Sequence, residues 1–111
     1  MPYTAKHRFA PMSARKVRLV VDLIRGRGVQ EALDLLQFQP QRAAYLIRKV
    51  LSSAIAAAEE QEADVEELMV TEARVDEGPT AKRVWRRGRG RADTLRLRSS
   101  HIIVTVDEVA D

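Results

Sequence analysis

Residues 82–98 of this 111-residue chain form a stretch that no hydrophobic core can use. They hold eight Lys or Arg residues, a single acid (Asp93) and only four large apolar side chains, Val84, Trp85, Leu95 and Leu97. On either side lie strand-forming segments, residues 68–75 with Met69, Val70, Thr71 and Val75, and the β-branched run Ile102-Ile103-Val104-Thr105-Val106. Two such strands flanking a basic segment predict a hairpin that runs out from an antiparallel pair. Asp76-Glu77-Gly78-Pro79 would lie at its base and Gly88-Arg89-Gly90 at its turn. With that turn, facing positions sum to about 178, which sets Arg74 opposite Val104. At about 3.3 Å per residue, the stretch from Asp76 to Gly88 extends roughly 40 Å. A lone two-stranded hairpin is marginal in water. An arm of this composition therefore has to be held by something outside the chain.

The remaining sequence supplies a body. Ser13 is the expected N-cap of a first helix running to about Arg25, with Gly26 and Gly28 ending it. Val17, Val20, Val21 and Ile24 form its buried stripe. A short second helix presents Val29, Ala32, Leu33 and Leu36 on one face. Pro40 suits the first turn of a third helix, where its missing N–H would be unpaired anyway. That helix carries Ala43, Ile47, Val50, Leu51, Ala54 and Ala58 along one side. Residues 3–9 alternate loosely and suggest a third strand. The expected fold is α+β, three helices packed on a small antiparallel sheet with a long protruding β-hairpin. One domain is expected, its globular body at about 1–78 and 99–111 and its extended basic arm at about 79–98.

Charge is segregated along the chain. The 19 basic residues exceed the 16 acids by only three. Yet residues 6–27 carry seven Lys or Arg against Asp22 alone, while acids gather at residues 59–67 and near the C-terminus. There are no cysteines, which excludes disulfides and thiolate metal sites. The start has no apolar run of signal-peptide length, and the longest uncharged stretch, residues 50–58, is too short to span a bilayer. A soluble, intracellular protein is expected.

Seven of the arm's eight basic residues are arginine. The guanidinium fork matches phosphate oxygens and stacks on bases, and Trp85 adds a ring that can stack on an exposed base. These features point to structured RNA. Catalysis has little to work with. His7 and His101 are the only histidines, neither beside a carboxylate constellation. In Ser99-Ser100-His101, adjacent strand residues point to opposite faces, so Ser100 and His101 diverge. His101 is expected to make a hydrogen bond near the RNA or the strand end.

Several motifs, in order and register, carry a resemblance across essentially the whole chain. They are Ala14-Arg15-Lys16-Val17-Arg18-Leu19-Val20-Val21-Asp22-Leu23-Ile24-Arg25-Gly26, then Val75-Asp76-Glu77-Gly78-Pro79-Thr80-Ala81-Lys82-Arg83, then Arg89-Gly90-Arg91-Ala92-Asp93 and Ser100-His101-Ile102. Together they resemble the family of the twenty-second protein of the ribosomal large subunit. The resemblance implies a cytoplasmic protein on the ribosome that binds large-subunit ribosomal RNA and supports assembly. It also implies a hairpin tip that forms part of the peptide exit tunnel wall. Implied partners are that RNA, neighbouring large-subunit proteins and the nascent peptide. No membrane, small-molecule substrate, cofactor or metal is expected.

The RNA-binding residues are then Lys6, Arg8, Arg15, Lys16, Arg18 and Arg25 in the body, with His101. On the arm they are Lys82, Arg83, Arg86, Arg87, Arg89, Arg91, Arg96 and Arg98. The tunnel tip would comprise Trp85, Arg86, Arg87, Gly88, Arg89 and Gly90. The main alternative is a winged helix–turn–helix DNA-binding regulator, whose third helix would present Gln41, Arg42, Tyr45, Arg48 and Lys49. A cationic membrane-active hairpin ranks below it, because the arm lacks a sustained apolar face.

Overall fold

In the computed structural model, which describes residues 2–108, the apolar stripes select the elements. Strand β1 (Tyr3–Ala10) is followed by helices α1 (Ala14–Ile24), α2 (Val29–Phe38) and α3 (Arg42–Glu60). A single 3-10 turn (Val65–Glu67), within the acidic stretch of residues 59–67, leads into β2 (Leu68–Glu77). The arm strands β3 (Ala81–Arg86) and β4 (Ala92–Leu97) come next, and β5 (Ser100–Glu108) returns to the body. The three body strands form an antiparallel sheet of order β1-β5-β2, so the β-branched β5 occupies the centre. The α+β class and the arm are both as expected.

The helices lie on one face of that sheet, α3 against β1 and β5 and α1 against β2. Val17, Val20, Val21 and Ile24 of α1 meet Ile47, Leu51 and Ala54 of α3 and Ile102, Val104 and Val106 of β5 in one buried cluster. The small residues at the end of α3 let it approach closely, and Ala54 and Ala58 are fully buried.

Pro40 is not in the first turn of α3. The helix starts at Arg42 with Gln41 as its extended N-cap, φ −68° and ψ 141°. Pro40 instead stops α2, because proline disfavours helical geometry in the preceding residue, and Gln39 is extended at φ −81° and ψ 128°. Gly28 likewise opens α2 as its N-cap rather than closing α1.

Strand β2 lies at a sheet edge, and an unprotected edge invites pairing with another chain. Here α1 covers it with arginine. Arg18 donates from Nε and Nη2 to the Val75 carbonyl (3.2 and 2.8 Å). Arg25 donates in the same way to the Ala73 carbonyl (3.1 and 2.6 Å), and its remaining Nη1 reaches Asp22 at 2.7 Å. Further along the edge, Gly26 N–H bonds the Val70 carbonyl and Val70 N–H bonds the Arg27 carbonyl. Arg25→Ala is expected to lower the stability of the free chain by about 1 kcal/mol, below the usual range for charged hydrogen bonds because the side chain is half exposed. Urea denaturation measures this directly; an unchanged midpoint would mean that the edge is held without it.

The arm leaves the body with a change of register. Positions paired across β2 and β5 sum to 177 from Glu72 onward, so Arg74 faces Ile103 and not Val104. In the arm the sum is 178, as in Val84 opposite Thr94. One extra residue is taken up on the outgoing side at residues 78–80, and another at the β2 bulge between Val70 and Glu72. Gly78 makes the close approach possible. Its N–H bonds the Ser99 carbonyl at 2.9 Å, and a Cβ there would sit 2.5 Å from Ser99 Oγ and 3.3 Å from the Ser99 carbonyl carbon. Ser99 Oγ in turn donates to the Pro79 carbonyl at 2.7 Å. Gly78→Ala is expected to destabilise the chain by about 1 kcal/mol through this overpacking, read from the same denaturation midpoint.

The molecule measures 65 × 24 × 19 Å with a radius of gyration of 17.1 Å. A compact chain of this length would have about 13 Å, and the excess is the arm.

Candidate RNA interface

Every residue of β3 and β4 is exposed. Strand alternation sorts them onto two faces. One carries Ala81, Arg83 and Trp85 opposite Leu97, Leu95 and Asp93; the other carries Lys82, Val84 and Arg86 opposite Arg96, Thr94 and Ala92. Three of the four large apolar side chains thus share a face, interrupted by Arg83. At its tip end, Arg87 bonds Asp93 at 2.8 Å and lies 4.1 Å from the centre of the Trp85 ring.

Arg87 is the arm's only ion-paired cation among the described residues. Lys82 and Arg96 even face each other across the ladder, a like-charge pairing that opposes hairpin formation. At the turn, Arg87 N–H bonds the Arg91 carbonyl at 2.7 Å, and Arg89 and Gly90 both take positive φ, 62° and 73°. The turn therefore draws on the left-handed conformation at positions 89 and 90. Gly88 is not at positive φ.

The body's predicted residues divide into three groups. Lys6, Arg8 and His101 lie together on the outward face of the sheet, where they border a shallow recess with Arg74, Asp76 and Ile103. Arg15 and Lys16 open toward the arm root, Arg15 beside Arg98 and Lys16 beside Arg96 and Arg98. Arg18 and Arg25 have part of their donor capacity committed to the β2 edge, leaving Nη1 of Arg18 without a partner among the described residues.

His101 is tied to a feature that sequence reasoning missed. Its Nδ1 accepts a hydrogen bond from Phe9 N–H at 3.0 Å, which places the ring proton of the neutral form on Nε2. Phe9 sits in the β1 bulge at φ 60°, rare for a bulky residue, with its ring exposed, edge-on to His101 and beside Arg8. A bulge leaves no trace in hydrophobic periodicity, and only an aromatic next to Arg8 hinted at it. Arg42 was missed as an RNA-binding residue because it stands alone in sequence, although it joins Lys16, Arg96 and Arg98 in space.

On α3, Tyr45 is flanked by Lys49 Nζ, 4.6 Å from the ring centre, and Arg48. The hydrogen bond and charge of Lys49 hold the phenol below its ordinary pKa, against a smaller opposing contribution from desolvation, with Arg48 adding least. No catalytic pair forms in the Ser99-Ser100-His101 segment. Ser100 Oγ is buried without a hydrogen-bond partner among the described residues, and the Nδ1 atom of His101 is already occupied. No group of three His, Cys, Asp or Glu side chains able to hold a metal occurs among the described residues, and none of their helices is long and apolar enough to cross a membrane.

The family model for Ribosomal protein L22p/L17e matches residues 5–107, nearly the whole chain and both halves of the arm. Nothing supports the winged helix–turn–helix alternative. A body with an outlying arginine ladder, matched over residues 5–107 by this model, belongs to the ribosomal protein L22p/L17e family and is a structural protein of the large ribosomal subunit.

Proposed function

We propose that the chain clamps large-subunit ribosomal RNA from two sides, with the arm threaded into the RNA and the body seated on its surface. The single observation that carries this reading is the arm's set of seven cations without an ionic partner among the described residues. Closely spaced guanidinium groups without carboxylate partners keep their donors free for the bidentate, charge-assisted hydrogen bonds that phosphates accept. The face bearing Trp85, Leu95 and Leu97 suits bases and sugars, and the face bearing Lys82, Arg86 and Arg96 suits the backbone. The body contacts come from Lys6, Arg8, Arg15, Lys16 and His101, with Arg18 and Arg25 reaching phosphate only through the donors that β2 leaves free.

The tip, from Trp85 to Gly90, is the part farthest along the arm, and it is our candidate for the tunnel wall and for contact with the nascent peptide. Family membership and the arm's length support this placement. The role is structural and assembly-related rather than enzymatic. The test uses intact large subunits washed in high salt. The chain is expected to cosediment with them, and its tip to crosslink to an arrested nascent peptide bearing a photoreactive side chain. Release into the supernatant would overturn the clamp; retention without any crosslink at the tip would overturn the tunnel placement alone.

A further inference from the structure

Where the arm joins the body there is a cleft of about 480 Å³, within the size range of pockets that hold a small organic ligand. Four separate parts of the chain build it: Pro11, Met12 and Ser13 from the β1–α1 loop, Lys16 from α1, Arg42 from the start of α3, and Arg96, Leu97 and Arg98 from the end of the arm. The lining is of two kinds. Lys16, Arg42, Arg96 and Arg98 have no carboxylate partner among the described residues, although every one of them is exposed and free to find one. Between them lie the apolar surfaces of Pro11, Met12 and Leu97, with Met12 packed against the hydrophobic core. The first turns of α1 and α3 carry no acid and no side-chain cap, and Glu77, which lines an adjoining recess with Arg15 and Arg98, makes no ion pair with either among the described residues.

A groove for phosphates alone needs only cations, and a groove for an apolar peptide would not need four of them. We infer that this cleft receives one unstacked RNA nucleotide, its base against Met12, Pro11 and Leu97 and its flanking phosphates on Lys16, Arg42, Arg96 and Arg98. Splayed-out bases of single-stranded loops and bulges are the elements that proteins hold in this way. The inference rests on the RNA-binding reading above and adds a specific site to it. It also explains why the arm root is positioned by a fixed junction at Gly78 and Ser99. Because Arg96 and Leu97 belong to β4, the cleft is complete once RNA orders the arm.

The test combines binding to large-subunit ribosomal RNA with base-specific chemical probing, using the full chain. Arg42→Ala, outside the arm, is expected to weaken binding about tenfold and to reduce the salt slope by roughly 0.7, the value for one single-strand phosphate. Leu97→Ala is expected to weaken binding several-fold with an unchanged slope. It should also make one or two bases reactive that the wild-type chain protects. Met12→Ala should expose the same bases; Leu97, on the exposed arm, keeps the test valid if the Met12 variant fails to fold. Wild-type binding together with unaltered base reactivity in the Leu97 variant would overturn the nucleotide pocket and leave a phosphate groove. An unchanged slope in the Arg42 variant would overturn the cation assignment. A wild-type chain that does not bind the RNA at all would overturn the clamp itself, and the pocket with it.

Discussion

Serine at Arg83, Arg86, Arg87, Arg89, Arg91 and Arg96 together is expected to abolish incorporation into large subunits and to flatten the salt dependence of RNA binding. If these six guanidinium groups neutralise six phosphates, wild-type affinity falls roughly a thousandfold between 50 and 200 mM salt, using the slope for duplex nucleic acid. The six-fold variant should lose most of that dependence, its log–log slope becoming less steep by about five. Binding at low salt should weaken by a comparable factor. The body should not notice. All six side chains are exposed, none reaches the core, and the only ion pair lost among the described residues is Arg87 with Asp93. An unchanged thermal transition with lost incorporation is therefore the expected combination. Normal incorporation, or a slope that stays steep, would show that the arm's charge is incidental and that the body carries the affinity.

Much of this architecture was legible because it follows from periodicity and turn chemistry. The stripe of Val17, Val20, Val21 and Ile24 reads as a helix and the β-branched run of residues 102–106 as a strand, although its central place in the sheet came only with the fold. What escaped were features set by single-residue insertions. The extra residue at 78–80 moved Arg74 from Val104 to Ile103, and nothing local in Gly78-Pro79-Thr80 distinguishes a regular ladder from a bulged one. The bulge at Phe9 was invisible for the same reason. Pro40 was ambiguous in a different way, since it can start one helix or stop another, and local geometry at Gln39 decided it. Charge patterning marks the basic residues in sequence but not how the fold divides them. Arg15, Lys16, Arg18 and Arg25 look alike in sequence, yet only Arg18 and Arg25 fall above the open carbonyls of β2. Spatial neighbours far apart in the chain, such as Arg42 and Arg98, could only come from the fold.

The arm itself should be ordered by RNA and not by the chain. In the free protein, amide hydrogens of β3 and β4 are expected to exchange within about tenfold of the rate for an unstructured peptide. Those of β5 should be at least a thousandfold slower, since core strands open only with a large share of the global free energy. The reason is on the strands. β5 buries Ile102, Val104 and Val106 completely, whereas no side chain of β3 or β4 is buried and Lys82 repels Arg96 across the ladder. Against the conformational entropy of ordering each arm residue, about 1–2 kcal/mol for the backbone alone, the ladder offers marginal hydrogen bonds and the contacts of Trp85 with Arg87. Arg89 adds to the disadvantage by adopting a left-handed conformation that non-glycine residues disfavour by roughly 1–2 kcal/mol. Phosphates reverse the balance by removing the repulsion and pairing the free guanidinium groups. Exchange in the arm should therefore slow by orders of magnitude when large-subunit RNA is added, while exchange in β5 changes little. Slow exchange along β3 and β4 in the RNA-free monomer would mean that the hairpin supports itself, and the unpaired cations could then no longer be read as the mark of a missing polyanion.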